Sequence, residues 1–359
     1  KIMAYSAITK PTAYFNTVLY AGNDSTNNIT GVGFQPDWVW IKNRSNSSSH
    51  NIFDSVRGAT KAIFTNATDA EATEASRLSA FNSDGFTLNG DTSNQTNANG
   101  SNFVSFNWKA GGSASSNGDG SITSTVSANT TSGFSIVSYT GTGSVATVGH
   151  GLGAAPKLII VKTRSLSGEA WPVDSRAASG IVYLNETGAK GSYGDSSPFP
   201  STAPTSTVFS IGTPNNTNGS GATYIAYCFA EKQGYSKFGS YTGNGSTDGT
   251  FVHTGFRPAF VINKRTDSST GGSWILQDNK RGNNVRNPVD LSLSPTNNQT
   301  ESDWGDTFDC DYVSNGFKWR MDGTGGYNNT SGATYIYLAF AEHPFVGNDS
   351  GTAVPVVAR

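Results

Sequence analysis

The stretch Gly33-Phe34-Gln35-Pro36-Asp37-Trp38-Val39-Trp40-Ile41-Lys42 decides the fold, because the chain repeats it twice. The second version is Gly153-Ala154-Ala155-Pro156-Lys157-Leu158-Ile159-Ile160-Val161-Lys162. The third is Gly255-Phe256-Arg257-Pro258-Ala259-Phe260-Val261-Ile262-Asn263-Lys264. In each, a lysine closes the run and an arginine follows at once or nearly so: Arg44, Arg164, Arg265. A run apolar on both faces reads as a central strand, and the proline stands ahead of it, where its missing N–H breaks no ladder bond.

Further landmarks surround each version in the same order, the signature of a repeated structural unit. Upstream lie Tyr20-Ala21-Gly22-Asn23, Tyr139-Thr140-Gly141 and Tyr241-Thr242-Gly243-Asn244. Downstream, an apolar stretch closes on an aspartate: Ile52-Phe53-Asp54, Trp171-Pro172-Val173-Asp174, Trp274-Ile275-Leu276-Gln277-Asp278. Arg57, Arg176 and Arg281 come shortly after. Ser83-Asp84-Gly85-Phe86-Thr87-Leu88 matches Ser314-Asn315-Gly316-Phe317-Lys318-Trp319, with a degenerate counterpart at Val208-Phe209-Ser210-Ile211. Their Asp-Gly and Asn-Gly pairs supply turns that need positive φ. Each copy ends on an aromatic segment, 103–109, 224–230 and 335–341. There Val104, Phe106 and Trp108 alternate with their neighbours, as do Ile225, Tyr227 and Phe229, and Ile336, Leu338 and Phe340. A period of two with one apolar face marks a strand lying on a core.

The expected architecture is all-β, with three tandem antiparallel β-sandwich domains of similar fold. Units of about 100 residues match such a sandwich in size. The repeats span 1–110, 133–232 and 233–345, with the second and third close enough to touch. The Gly/Ser-rich segment 111–132 reads as a flexible linker, and 346–359 as a C-terminal tail. One short exposed helix is expected over Asp69 to Leu78, on helix propensity.

Composition narrows the function. Charged residues are 14% of the 359 and the formal net charge is -2. No basic surplus exists to neutralise a phosphate backbone, so no nucleic acid is expected as partner. Apolar content of 35% is low, but 20 Phe, 14 Tyr and 7 Trp suffice for several small cores. No stretch approaches the roughly 18 consecutive apolar residues of a membrane span, and residues 1–16 show no signal-peptide core. Two cysteines, Cys228 and Cys310, make no disulfide framework and read as buried thiols.

The chemistry-bearing residues form no familiar constellation. His50, His150, His253 and His343 fall at unrelated repeat positions and read as surface or turn residues. There is no Gly-x-Ser-x-Gly elbow, no His-x-x-x-His and no Cys-x-x-Cys, so no catalytic, cofactor-binding or metal residue is assigned. Candidate carboxylates for glycoside hydrolysis are Glu169, Asp174, Glu301, Asp303, Asp306, Asp309 and Asp311. The last five form an acidic patch around Trp304 and Phe308. Within it Trp304, Asp306, Asp309 and Asp311 are a candidate ligand-contact loop for a sugar or calcium, or else a solvated loop. The recurring Lys42, Lys162 and Lys264, and Asp54, Asp174 and Asp278, read as structural, each aspartate tying a turn and pairing with Arg57, Arg176 or Arg281. By alignment with Leu158, Ile160, Phe260 and Ile262, Trp38 and Trp40 belong to the core.

The Gly-Phe-x-Pro-x-x-Val-x-x-Lys pattern, the closing segment from Tyr335 through His343 to Phe345, and the ending Val354-Pro355-Val356-Val357-Ala358-Arg359 resemble a repeat family. It occurs in virion proteins of tailed bacteriophages, especially those of marine bacteria, often labelled tail fibre or structural protein. Met3-Ala4-Tyr5-Ser6 resembles that family's start. The resemblance implies a non-enzymatic structural component of a phage virion, foremost a tail fibre or appendage contacting the host surface. It implies other virion proteins and host surface glycans as partners, a homotrimer as the common assembly, synthesis in the host cytoplasm and release by lysis. Two alternatives stand beside it: a capsid decoration (cement) protein, and a glycan-binding or glycan-degrading β-sandwich protein. The second copy departs most, lacking the Phe of Gly-Phe-x-Pro and the Ser-Asp-Gly-Phe turn.

Overall fold

The structure is a computed structural model that describes residues 6, 8–91, 93–282, 287–303, 307–344, 346–349 and 352–355. Among the described residues every strand pairing is antiparallel, and the helical content is one 3-10 turn at Pro11–Ala13 and one α turn at Asn215–Asn218. Among the described residues no helix is long and apolar enough to cross a membrane.

Each repeat lays the same three strands side by side. The closing strand Asn102–Trp108 lies between Phe15–Ala21 and Trp38–Asn43. Thr223–Phe229 lies likewise between Phe134–Thr140 and Leu158–Thr163, and Thr334–Pro344 between Ser236–Thr242 and Phe256–Arg265. The registers coincide: Trp38 faces Trp108, Leu158 faces Phe229, and Phe260 faces Phe340. A smaller sheet covers the outside of each: Asn27–Ile29 with Gly85–Leu88, Ala146–Gly149 with Val208–Ile211, and Phe251–His253 with Gly316–Trp319. The degenerate segment of the second repeat thus forms the expected strand.

The central strands are apolar on both faces because both are covered. Val39 and Ile41 pack outward with Phe86 and Leu88 under the small sheet. Trp38 and Trp40 point the other way, into a core that all three repeats share. There Trp38 stacks on Tyr227 at 4.6 Å, Phe106 meets Phe260 at 5.1 Å, and Phe15 stacks on Phe340 at 5.2 Å. The first repeat touches the second, the second the third, and the third the first, so the chain closes into a ring around one aromatic interior. A void of about 20 Å³ remains at its centre, lined only by apolar side chains including Trp38, Leu158 and Phe260.

One end of each sheet is tied by a shared device. Tyr20, Tyr139 and Tyr241 each donate a 2.7 Å hydrogen bond to the carbonyl of Thr96, Thr217 and Asn328. The next residue is each time a fully buried asparagine, Asn97, Asn218 or Asn329. Asn329 Nδ2 donates to Asn244 Oδ1, Ser246 O and Met321 O, and its Oδ1 accepts from the Asn244 amide. The Tyr-x-Gly pattern follows from this: a Cβ at Gly22, Gly141 or Gly243 would collide with the carbonyl of Ala98, Gly219 or Thr330, the residue after the asparagine.

Three expectations need correction. Segment 111–132 is no flexible linker. Its strands Ser115–Asn117 and Ser124–Asn129 extend the second repeat's sheet, with Val126 buried and the Gly111 amide donating to Ser127 Oγ. The stretch from Asp69 to Leu78 is not helical but holds the short strand Ala72–Thr73, because Glu71 is anchored to the second repeat through its amide and carboxylate. Tertiary bonds there outweigh a weak propensity. In the expected tail, Val346–Asp349 and Thr352–Pro355 pair as a hairpin.

Candidate functional site: the three seams

The recurring charged residues meet where one repeat abuts the next. Period two carries Trp38, Trp40 and Lys42 onto one face, so the lysine points inward beyond the aromatic stripe, as Lys162 and Lys264 do. All three are fully buried. Lys42 Nζ donates to Asn43 O at 2.7 Å and Lys162 Nζ to Glu169 O at 2.7 Å. Lys264 Nζ donates to Gly272 O and, across the seam, to Glu186 O at 3.1 Å. Burial pushes each of them down to about 8. They serve as structural donors, as the repeat comparison implies.

Two of the seams carry one ionic chain. At the first, the Asp54 carboxylate pairs with Arg57, both side chains fully buried, and accepts the Tyr227 hydroxyl of the second repeat at 2.7 Å. Arg57 Nη1 reaches Glu71 at 3.2 Å, and Glu71 accepts from Nε and Nη2 of Arg164 at 2.9 and 3.0 Å. The guanidiniums hold the Glu71 carboxyl below its ordinary range against its own burial. Between the third and first repeats the same chain runs Asp278, Arg281, Glu301, Arg44. Here Arg281 lies 6.0 Å from the ring of Phe106, which takes the place of Tyr227.

The seam between the second and third repeats is built differently. Trp38 faces Asp54 and Phe260 faces Asp278, but Leu158 faces Ser175. Asp174 is therefore not the counterpart of Asp54 and Asp278, which corrects the sequence alignment. It lies one residue earlier on the opposite face, where it accepts from Tyr193 OH at 2.7 Å and Arg176 Nε at 3.0 Å, and burial raises it above the usual carboxylate range. Counting three residues on from Ser175, Ala178 stands where Arg57 and Arg281 stand. The pairings of Ala62 with Ala72, Ile181 with Gly191 and Ser292 with Ser302 put Lys190 where Glu71 and Glu301 stand. Arg265 turns to Asp267 at 2.9 Å. A groove of about 370 Å³ lies here, lined by Ala178, Lys190 and Ser240 among others.

The histidine expectation holds only in part. His253 and His343 are exposed, whereas His50 and His150 are fully buried. His50 sits two residues before Ile52, as Trp171 and Trp274 sit two before Val173 and Leu276. Those tryptophans donate across seams to Ala67 O at 3.1 Å and Tyr183 O at 2.8 Å. His50 Nδ1 accepts from Trp40 Nε1 at 2.9 Å, and burial beside Lys42 holds it neutral, well below the usual histidine range.

Of the acidic patch, Trp304 and Asp306 lie outside the described residues. Asp311 pairs with Arg320 at 3.2 Å, and the Arg320 amide donates to Asp309 O. Phe308 is buried against Tyr327. Glu301 belongs to the seam instead. Among the described residues no three His, Cys, Asp or Glu side chains converge as a metal site would require. Sequence reading missed Asn97, Asn218, Asn329, Glu71 and Lys190. The asparagines had a usable signal, a constant six-residue spacing before Phe103, Tyr224 and Tyr335.

These features define an all-β protein of antiparallel sheets whose repeated ionisable residues face one another across seams. A family model matches residues 10–344, and the chain belongs to that family, described as a domain of unknown function (DUF7483). No curated protein and no solved structure matches it.

Proposed function

We propose that this chain is a non-enzymatic structural component of a tailed-phage virion, a tail fibre or appendage that contacts the host surface through three tandem β-sandwich modules of similar fold. The observation that carries this reading is how the repeats use their polar residues. Their recurring charges are turned inward onto one another, while the loops beginning at Gly22, Gly141 and Gly243 present exposed, mostly uncharged Asn, Thr and Ser. The buried asparagines hold those loops in shape, so few rotatable groups must be ordered on binding. Rigid polar rims suit hydrogen bonding to glycans, and a repeated rim multiplies weak contacts.

Gold-labelled antibody against this chain, applied to intact particles, tests the reading by electron microscopy. Label on tail tips is the expected result. Label spread over the capsid would replace it with the decoration reading, and unlabelled particles would end the virion reading. Release of sugars from host polysaccharide by the purified chain would overturn the non-enzymatic assignment.

A further inference from the structure

We infer that the groove at the seam between the second and third repeats is a binding site for an acidic saccharide residue, a hydroxyl-rich ring bearing one carboxylate. The inference deepens the reading of this chain as a glycan-contacting protein and rests on it for its biological sense.

Equivalent positions of the three seams carry different residues. In the other two seams a glutamate carboxylate sits between two guanidiniums and fills the space between repeats. In this seam the first arginine is Ala178, which leaves room, and the glutamate is Lys190, which reverses the charge. The inward aspartate is Ser175. The seam has thus lost the aspartate and the glutamate of the other two ionic chains and gained an ammonium, and beside it lies the groove of about 370 Å³. That volume is in the range of small-ligand pockets.

The lining specifies the rest of the ligand. Lys190 Nζ donates to Ala178 O at 2.6 Å, which fixes the ammonium at the groove wall and leaves two of its protons for an incoming anion. Ser179, Ser240, Thr242 and Thr334 are exposed there and carry hydroxyls that both donate and accept. In the first seam the counterpart of Ser240, Ser138, already accepts a 3.3 Å hydrogen bond from Arg164, so this position takes a polar partner when one is offered. A cation beside a ring of hydroxyls matches a sugar acid better than a bare anion or a neutral sugar.

The test uses the full chain and three probes: methyl β-D-glucuronide, methyl β-D-glucoside and acetate, titrated at millimolar concentration by NMR. The glucuronide should bind; the glucoside, which lacks the charge-assisted hydrogen bond to Lys190, and acetate, which lacks the hydroxyl contacts, should each bind at least about tenfold more weakly. Lys190→Glu, at an exposed position, should weaken the glucuronide about tenfold or more. The triple variant S175D/A178R/K190E rebuilds the ionic chain of the other seams and should abolish binding with the thermal midpoint maintained. If the triple variant does not fold, Lys190→Glu alone decides. Glucuronide binding unaffected by Lys190→Glu, acetate binding as tight as glucuronide, or no glucuronide binding would each overturn the inference. A chain that binds neutral glycans on an array while ignoring the glucuronide would sink this site and leave the glycan-contacting reading intact.

Discussion

Asn97, Asn218 and Asn329 show how much one side chain can hold. Each spends a fully buried amide on loop carbonyls that would otherwise lack donors, and each sits where a tyrosine hydroxyl reaches the preceding carbonyl. Asn329→Ala should cost about 3 kcal/mol, since buried acceptors left unpaired carry their full desolvation penalty; a shift of the urea midpoint smaller than about 0.5 kcal/mol equivalent would contradict this. The lysines give a pH signature. Their folded-state value of about 8 lies below the ordinary 10.5, so between pH 8 and 10 the unfolded chain binds more protons. The lysines' contribution to stability should therefore rise with pH across that window, the penalty of burying the charge being fully present below it, while the buried Cys228 and Cys310 thiols, raised by burial, act in the opposite direction from about pH 9. Lys162→Met should remove about a third of the lysine contribution, read as the difference between variant and parent at each pH, one lysine of three being lost. Denaturant midpoints at pH 7.5, 9 and 10 check both statements. The Tyr-x-Gly landmark was legible in the sequence because it is short and local. The asparagine was not singled out, since asparagine is common in this chain and only its spacing distinguishes it.

At the scale of strands and seams, the sequence showed which segments are strands wherever a period of two carried large side chains. Asn102–Trp108 and its counterparts, and the strands after each proline, were readable for that reason. Ser115–Asn117 and Ser124–Asn129 were not, because the outermost two strands of a sheet can be built from Ser, Thr and Asn with one buried valine. The Asp54 and Arg57 pairing was also legible, while its extension to Glu71 and Arg164 depends on which repeats touch. Arg57→Met should cost about 3–5 kcal/mol, because Asp54 would remain buried without its counter-charge. Tyr227→Phe, which removes one hydrogen bond to the same carboxylate, should cost about 1–3 kcal/mol. Chemical denaturation of the two variants checks the ranking, and equal losses would argue against a charge effect.

Across the whole molecule, the shared interior couples what the repeats suggest is separable. Phe134, Ile136, Leu158, Ile160, Tyr227 and Phe229 of the second repeat are buried by its neighbours as well as by itself. A fragment of residues 111–232 would expose that face, a patch of the kind that drives association. We expect it to aggregate or stay partly unfolded, and the intact chain to melt in one calorimetric transition with matching calorimetric and van't Hoff enthalpies. Three separate transitions would contradict the shared core. The sequence marked three units and their order but carried no sign of the ring, since alternating apolar residues look alike whether they face a sheet of the same repeat or of another.

Closure also sets arithmetic on the chain's evolution. Open stacked arrays can lengthen or shorten by whole units, because each unit meets only its neighbours and the ends are capped. A closed triplet has no ends. Deleting the middle unit of this chain would leave two faces with nothing to meet, and a fourth would find the circle already full, so its closure favours change within a unit over gaining or shedding one.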